Sequence, residues 1–158
     1  KRMGADIEVV EEGQSAGEPT GTVTARGSRL VGVDVGADEV PATIDELPLV
    51  AVAAAAAEGS TRIWGAGELR VKESDRIAAI GALLEAMGIG VEEHEDGIEI
   101  EGGKLRGNRE VDGGGDHRMV MCAAVAALVA DGPLAIAGSE AAEVSFPGFF
   151  KTLDGLRR

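Results

Sequence analysis

The segment Glu68 to Arg76, Glu-Leu-Arg-Val-Lys-Glu-Ser-Asp-Arg, interleaves the cations Arg70, Lys72 and Arg76 with the anions Glu68, Glu73 and Asp75. Guanidinium and ammonium groups hold phosphates and carboxylates, and a carboxylate of tuned pKa gives or takes a proton, so this mixture suits anion binding and proton transfer together. The segment follows a strand-like run, Thr61 to Trp64, and a Gly65-Ala66-Gly67 break. It opens a helical pattern through Ile77, Ile80, Leu83, Leu84 and Met87. The spacing predicts a helix over 73–87, with Lys72, Glu73 and Arg76 at its start, where unpaired N–H groups and the helix dipole favour anions. Lys72 and Arg76, four positions apart, would share a helix face. The competing reading is a solvated first turn whose Glu73–Arg76 pair contributes about 0.3–0.5 kcal/mol. Spacing alone does not separate the two.

A second polar group, Asp116-His117-Arg118, follows three glycines and heads an apolar run from Met119 to Ala130. Arginine at a helix start opposes the dipole, so anion binding explains Arg118 better than helix stabilisation does. Thr43 or Asp45 stands where a cap would, ahead of an Ala-rich run to Ala57. By itself, Asp45 reads as that cap and His117 as a loop histidine. His94 falls in a hairpin and is expected in solvent, Trp64 in the core. Cys122, in an apolar run, reads as a small buried hydrophobe. No Cys/His cluster has zinc spacing, and no GxxxxGK[ST] phosphate loop occurs.

The elements that must carry these groups are short. Asp6 to Val10, Thr22 to Ala25, Leu30 to Val33 and Thr61 to Trp64 read as strands, with Glu11 to Thr20 a long polar turn and Gly36 to Pro41 a loop. A helix is predicted over 45–57, ended by Gly59. Val91 to His94 and Ile98 to Ile100 flank Glu95-Asp96-Gly97, a hairpin signal. Phe146 to Phe150 opens a last short helix. Helix 45–57 and strand 61–64 recur as helix 118–130 and strand 134–137 at the same spacing, and Met3-Gly4 is echoed by Met87-Gly88. Met3-Gly4 therefore reads as the end of a helix. A repeat of helix, two or three strands, helix and strand implies an α+β fold, a mixed sheet with helices on one side. Repeat one spans about 1–67 and repeat two about 68–158.

Composition sets limits. The 158 residues suffice for one domain with a core, 44% are hydrophobic and only 3% aromatic, so Ala, Val, Ile and Leu must build it. A net charge of −13 makes nucleic acid a poor partner. No apolar run reaches membrane-spanning length, and no signal or transit peptide is evident. The single cysteine excludes an internal disulfide and fits a cytoplasmic location. Lysine occurs only at 1, 72, 104 and 151, against 28 carboxylates, a balance that points to a high-salt cytoplasm.

Leu69-Arg70-Val71-Lys72-Glu73-Ser74-Asp75-Arg76-Ile77 resembles a signature of the 5-enolpyruvylshikimate-3-phosphate synthases (3-phosphoshikimate 1-carboxyvinyltransferases). Gly115-Asp116-His117-Arg118-Met119-Val120-Met121, Ile44-Asp45-Glu46-Leu47-Pro48 and Ser145-Phe146-Pro147-Gly148-Phe149 resemble the same family, in its order, over most of the chain. The resemblance implies two domains of three βαβαββ-like units each, an inside-out α/β barrel. Nearly two units of the C-terminal domain are represented here, with the N-terminal domain of the same enzyme as partner. It implies transfer of the enolpyruvyl group of phosphoenolpyruvate to the 5-hydroxyl of shikimate 3-phosphate, without metal or organic cofactor, in aromatic amino acid biosynthesis. By resemblance Asp45 accepts the hydroxyl proton and Glu73 is the acid/base at the methylene carbon. Lys72 binds shikimate 3-phosphate, Arg76 and Arg118 clamp phosphoenolpyruvate, and His117 orients the group.

Many members carry a lysine where this chain has Val144, which bears on how tightly phosphoenolpyruvate is held. A sister transferase acting on UDP-N-acetylglucosamine shares the fold and chemistry but lacks the Lys-Glu-Ser-Asp-Arg run. A non-catalytic folded module is the other alternative, and the isolated chain is expected to be inactive because positioning by both domains carries such catalysis.

Overall fold

Ile98 and Ile100 alternate with Glu99 and Glu101, and this period-two pattern makes an inner strand of the largest sheet. The structure, a computed structural model, describes residues 1–156. A hairpin, β1 (Asp6–Ser15) and β2 (Glu18–Arg26), comes first. β3 (Asp34–Val35), α1 (Val40–Thr43), α2 (Leu47–Ala55) and β4 (Ser60–Ile63) follow. A 3-10 turn (Gly67–Val71) leads into α3 (Arg76–Ala86), then β5 (Gly90–His94) and β6 (Gly97–Glu101). β7 (Arg109–Asp112), α4 (His117–Ala127), β8 (Leu134–Ala137), α5 (Ala142–Ser145) and α6 (Phe149–Leu156) come last.

The central sheet runs β3-β4-β6-β5, parallel between β3 and β4 and antiparallel elsewhere. Ile63 pairs with Ile98 and Thr61 with Ile100, all buried, whereas Arg62 pairs with Glu99 on the outer face, 3.2 Å apart. Helices α2, α3 and α4 pack on one another, and α2 and α3 also cover the sheet. Ala51, Ala54, Ala55, Ala123 and Ala126 let these helices approach closely, and Leu47, Ile77, Ile80, Leu84, Met87 and Val120 fill the remaining space. β3 lies parallel to β4, and β7 parallel to β8. Gly4 and Gly88, each after a Met, share a positive φ near 80° (84° and 82°). Mixed sheets with packed helices are the α+β class predicted, and no barrel closes among the described residues. Among those residues no helix is long and apolar enough to cross a membrane.

Several boundaries differ from those predicted. Glu11 to Thr20 is paired strand, not a long turn, and reverses through Ala16 (φ 52°) and Gly17 (φ 87°), which match the twist of the strands. Its residues are exposed on both faces, so no alternation marked them as strand. Leu30 to Val33 makes only a bridge from Val31 to Glu58, and pairing begins at Asp34. The predicted loop 36–41 contains the start of α1, and the predicted helix 45–57 starts at Leu47. The helix predicted from 73 starts at Arg76 behind an Asp75 cap, so Lys72 and Glu73 precede it and Lys72 shares no helical face with Arg76. Trp64 is 42% exposed rather than in the core, because Ile63 takes the inward position at the end of β4 and Trp64, next along the chain, faces the other way.

Candidate functional site

Three helix starts meet at one place. Asp45 lies in the turn between α1 and α2, where the Glu46 amide donates to Thr43 O at 2.9 Å. Neither Thr43 nor Asp45 caps α2: the Thr43 hydroxyl donates back to Glu39 O, and no side chain caps Glu46. Arg76 is the first residue of α3, whose cap is Asp75. Asp116 caps α4, its Oδ1 accepting from the Arg118 amide at 2.9 Å. The turn before it needs the left-handed backbone of Gly114 (φ 60°) and Gly115 (φ 73°), where a side chain would be strained.

Arg76 is the hub. It is only 1% exposed and makes four hydrogen bonds to three carboxylates. Nε donates to Asp116 Oδ2 at 2.8 Å, Nη1 to Asp45 Oδ1 at 3.2 Å, and Nη2 to Glu73 Oε2 at 2.6 Å and Asp116 Oδ1 at 3.4 Å. Arg118 stands on the other side of Asp45, with Nη2 3.2 Å from Asp45 Oδ2 and Nη1 donating to Asp45 O at 3.0 Å. Asp45 therefore bridges two guanidiniums, one through each oxygen. The Ser74 hydroxyl donates to Asp116 Oδ2 at 3.0 Å.

Burial is graded across the cluster. Asp116 is fully buried, whereas the side chains of Asp45 and Glu73 are 43% and 55% exposed and that of Arg118 33%. The inner pair thus forms a base, and the outer carboxylates and Arg118 present themselves to solvent. Burial opposes charge on Asp116, but hydrogen bonds from Arg76, Ser74 and the Arg118 amide outweigh it and hold its carboxyl below the ordinary range. Burial likewise opposes the charge of Arg76, and Asp116, Glu73 and Asp45 outweigh it, so its pKa is raised further. Cys122, behind this cluster on α4, is pushed up to about 12 by burial and by Asp116, which makes it an unreactive thiol at neutral pH.

Of the predicted residues, Asp45, Glu73, Arg76 and Arg118 are brought into direct contact. Lys72 is not among them: its Nζ pairs with Glu68 Oε1 at 2.6 Å, on the same segment but outside the cluster. His117, the first residue of α4, is half-buried, and its side chain makes no hydrogen bond or ion pair among the described residues. Asp116, Ser74 and Arg70 lie in the motifs quoted from sequence but are given no role there. Asp116 could have been found, since an Asp followed by an apolar run is a cap signal, but its ion pair with Arg76 carries no local sequence signal.

The family model for EPSP synthase (3-phosphoshikimate 1-carboxyvinyltransferase) matches residues 1–153. The 3-phosphoshikimate 1-carboxyvinyltransferase of Synechococcus sp. (strain JA-3-3Ab) is 49% identical over 156 residues, 99% of this chain and 35% of that protein. The Salinibacter ruber protein of the same name is 49% identical over 152 residues, 96% of this chain and 35% of that one. The solved EPSP synthase of Acinetobacter baumannii superposes with a TM-score of 0.91 at 42% identity, covering 97% of this chain and 36% of that chain. The enolpyruvyl transferase NikO of Streptomyces tendae shares the fold, with a TM-score of 0.67 at 21% identity over 98% of this chain and 33% of that one. The chain spans about a third of the length of the curated relatives it matches.

Proposed function

The chain belongs to the EPSP synthase family, and on that premise we propose that the whole protein joins phosphoenolpyruvate to shikimate 3-phosphate. The 5-hydroxyl oxygen bonds to C2 of phosphoenolpyruvate, loses its proton to Asp45, and the methylene carbon gains a proton from Glu73. Glu73 then takes a proton back from that carbon as the C2–O bond to phosphate breaks, which restores the enol, and the departing phosphate carries off the proton held by Asp45. Overall, an enolpyruvyl ether and inorganic phosphate replace the two substrates. The reaction belongs to the shikimate pathway to aromatic amino acids, in the cytoplasm.

The observation that carries this reading is the contact of Asp45 and Glu73 with one buried arginine, at 3.2 and 2.6 Å. Two exposed carboxylates held at one point can serve two proton transfers to one bound substrate pair. Glu73 uses only Oε2 on Arg76, and Oε1 is without a hydrogen bond among the described residues. Arg118 is the exposed guanidinium and the better placed to take the anionic substrate. Arg76 spends four of its five N–H donors on carboxylates, which leaves one, on Nη1, at a side chain only 1% exposed. His117, beside Arg118, lines the approach, and Lys72 takes shikimate 3-phosphate by exchanging Glu68 for the phosphate.

The charge balance argues for a half-site. Three carboxylates, Asp45, Glu73 and Asp116, face two guanidiniums, too little positive charge to hold a multiply charged anion. Val144, 82% exposed, supplies no cation either. We therefore assign the remaining cations to the N-terminal domain. In a phosphate-release assay the whole enzyme turns over with shikimate 3-phosphate but not with UDP-N-acetylglucosamine, and the 158-residue chain alone releases nothing. Release with the UDP-sugar instead would replace this reading by the sister transferase, and turnover by the chain alone would remove the half-site.

The acidic surface we assign to salt adaptation. β1 and β2 alone expose Glu8, Glu11, Glu12 and Glu18 on an unsupported ribbon. Salt screens their repulsion, so the urea midpoint of the chain is expected to rise from low to molar KCl. A flat or falling midpoint removes the assignment.

A further inference from the structure

Arg70 lies outside the carboxylate–guanidinium cluster, at the end of the 3-10 turn, yet each nitrogen of its planar head has a partner. Nε donates to Glu95 O at 2.9 Å, Nη2 to His94 O at 2.6 Å, and Nη1 to Asp75 Oδ2 at 2.8 Å. Nη2 also stands 3.7 Å from Glu93 Oε2. Two of these acceptors are backbone carbonyls of the β5–β6 turn, which cannot swing away as a side chain can. The turn is itself anchored: the Ala66 amide donates to Asp96 O at 2.7 Å and the Gly65 amide to Asp96 Oδ2 at 3.2 Å. Asp75 spends its other oxygen, Oδ1, on the Ala78 amide at 3.0 Å, the cap of α3. The chain between Arg70 and Asp75 is thus an arch with both feet joined by one ion pair. Lys72, Glu73 and Ser74 stand on it.

We propose that Arg70 is a positioning residue, a clasp that fixes the backbone from which Lys72 and Glu73 project by tying the β5–β6 turn to the capped start of α3. The roles of Lys72 and Glu73 rest on the function proposed above; the clasp itself does not. Arg76 and Arg118 touch the arch through Glu73 and Ser74 but are also anchored off it by Asp116 and Asp45, so the clasp bears on the arch more than on the anion clamp. The side chains of Arg70 and Asp75 are 27% and 41% exposed, and exposed pairs contribute little to global stability. Misplacing a reacting group by about 1 Å, by contrast, costs on the order of 100-fold in rate. Lysine, a single point charge, cannot replace a fork that meets two carbonyls and a carboxylate.

The test uses the whole enzyme with Arg70→Ala, Arg70→Lys and Asp75→Asn, the last retaining an oxygen for the cap. Expected are a kcat roughly 10- to 100-fold lower and a raised KM for shikimate 3-phosphate. The KM for phosphoenolpyruvate stays within about twofold, and ethylguanidinium partly restores kcat in Arg70→Ala. Amide exchange, which needs no turnover, should quicken at residues 71–75 and leave α4 unchanged. Wild-type enzyme without turnover would sink the proposed function, and the exchange pattern would still decide the clasp. Unchanged exchange at 71–75 in a folded variant overturns the clasp. So does an equal rise in both KM values accompanied by loss of the native Trp64 fluorescence in all three variants.

Discussion

Asp116→Ala is expected to destabilise the chain by roughly 3–5 kcal/mol, the range for removing one partner of a buried ion pair. Asp116 is fully buried and Arg76 1% exposed, and Nε loses its 2.8 Å partner outright. Asp45 and Glu73 remain bound to Arg76, and at 43% and 55% exposure they let water near, which favours the lower end of the range. Loss of the α4 cap adds about 1 kcal/mol to the same end. Asp116→Asn keeps an oxygen for the Arg118 amide and is expected to cost less. Urea unfolding followed by Trp64 fluorescence measures both, and a midpoint shift at constant slope reads as stability. A loss under about 1 kcal/mol for Asp116→Ala would show that Arg76 does not depend on Asp116.

The pH dependence has a definite sign. The Asp116 carboxyl is held below its ordinary value in the folded chain, so near the unfolded value of about 3.9 the unfolded chain takes up a proton that the folded one refuses. Its stabilising contribution is therefore complete above that pH and lost as pH falls through the folded pKa. The gap between wild type and Asp116→Ala should be constant from pH 7 to about 5 and close below about 4.

How much of this was legible depends on whether the information was local. Glu73, Arg76 and Arg118 announce themselves through residue type and motif, and the hairpin at Asp96-Gly97 through turn chemistry. Asp116 sits in a quoted motif, but its counterion arrives on α3 from 40 positions away, and only tertiary packing makes that contact. The start of α3 was misplaced because Lys72 and Glu73 are good helix formers, while the true stop signal was the side chain of Asp75 reaching Ala78. Arg70 precedes the predicted helix, and its backbone partners in the β5–β6 turn lie 24 and 25 positions away, where no local signal marks them. The ribbon from Glu11 to Thr20 was lost for the opposite reason. Strand assignment leans on one buried face, and this ribbon has none.

Glu73→Gln in the whole enzyme is expected to lower kcat by roughly 10²–10⁴, the usual contribution of a positioned acid or base. Glutamine retains an oxygen for the 2.6 Å bond from Arg76, so the arch and the clamp keep their shape and both KM values should stay within a few-fold. Asp45→Asn should behave differently. Asp45 gives one oxygen to Arg76 at 3.2 Å and the other to Arg118 at 3.2 Å, and an amide must turn its NH2 toward one of those guanidiniums. That substitution should lower kcat and also raise the KM for phosphoenolpyruvate, because donor now faces donor inside the clamp. Steady-state phosphate release with each substrate varied separates the two patterns. If Glu73→Gln keeps kcat within about tenfold, Glu73 is a partner of Arg76 and not the group that moves the proton, and its free oxygen has another use.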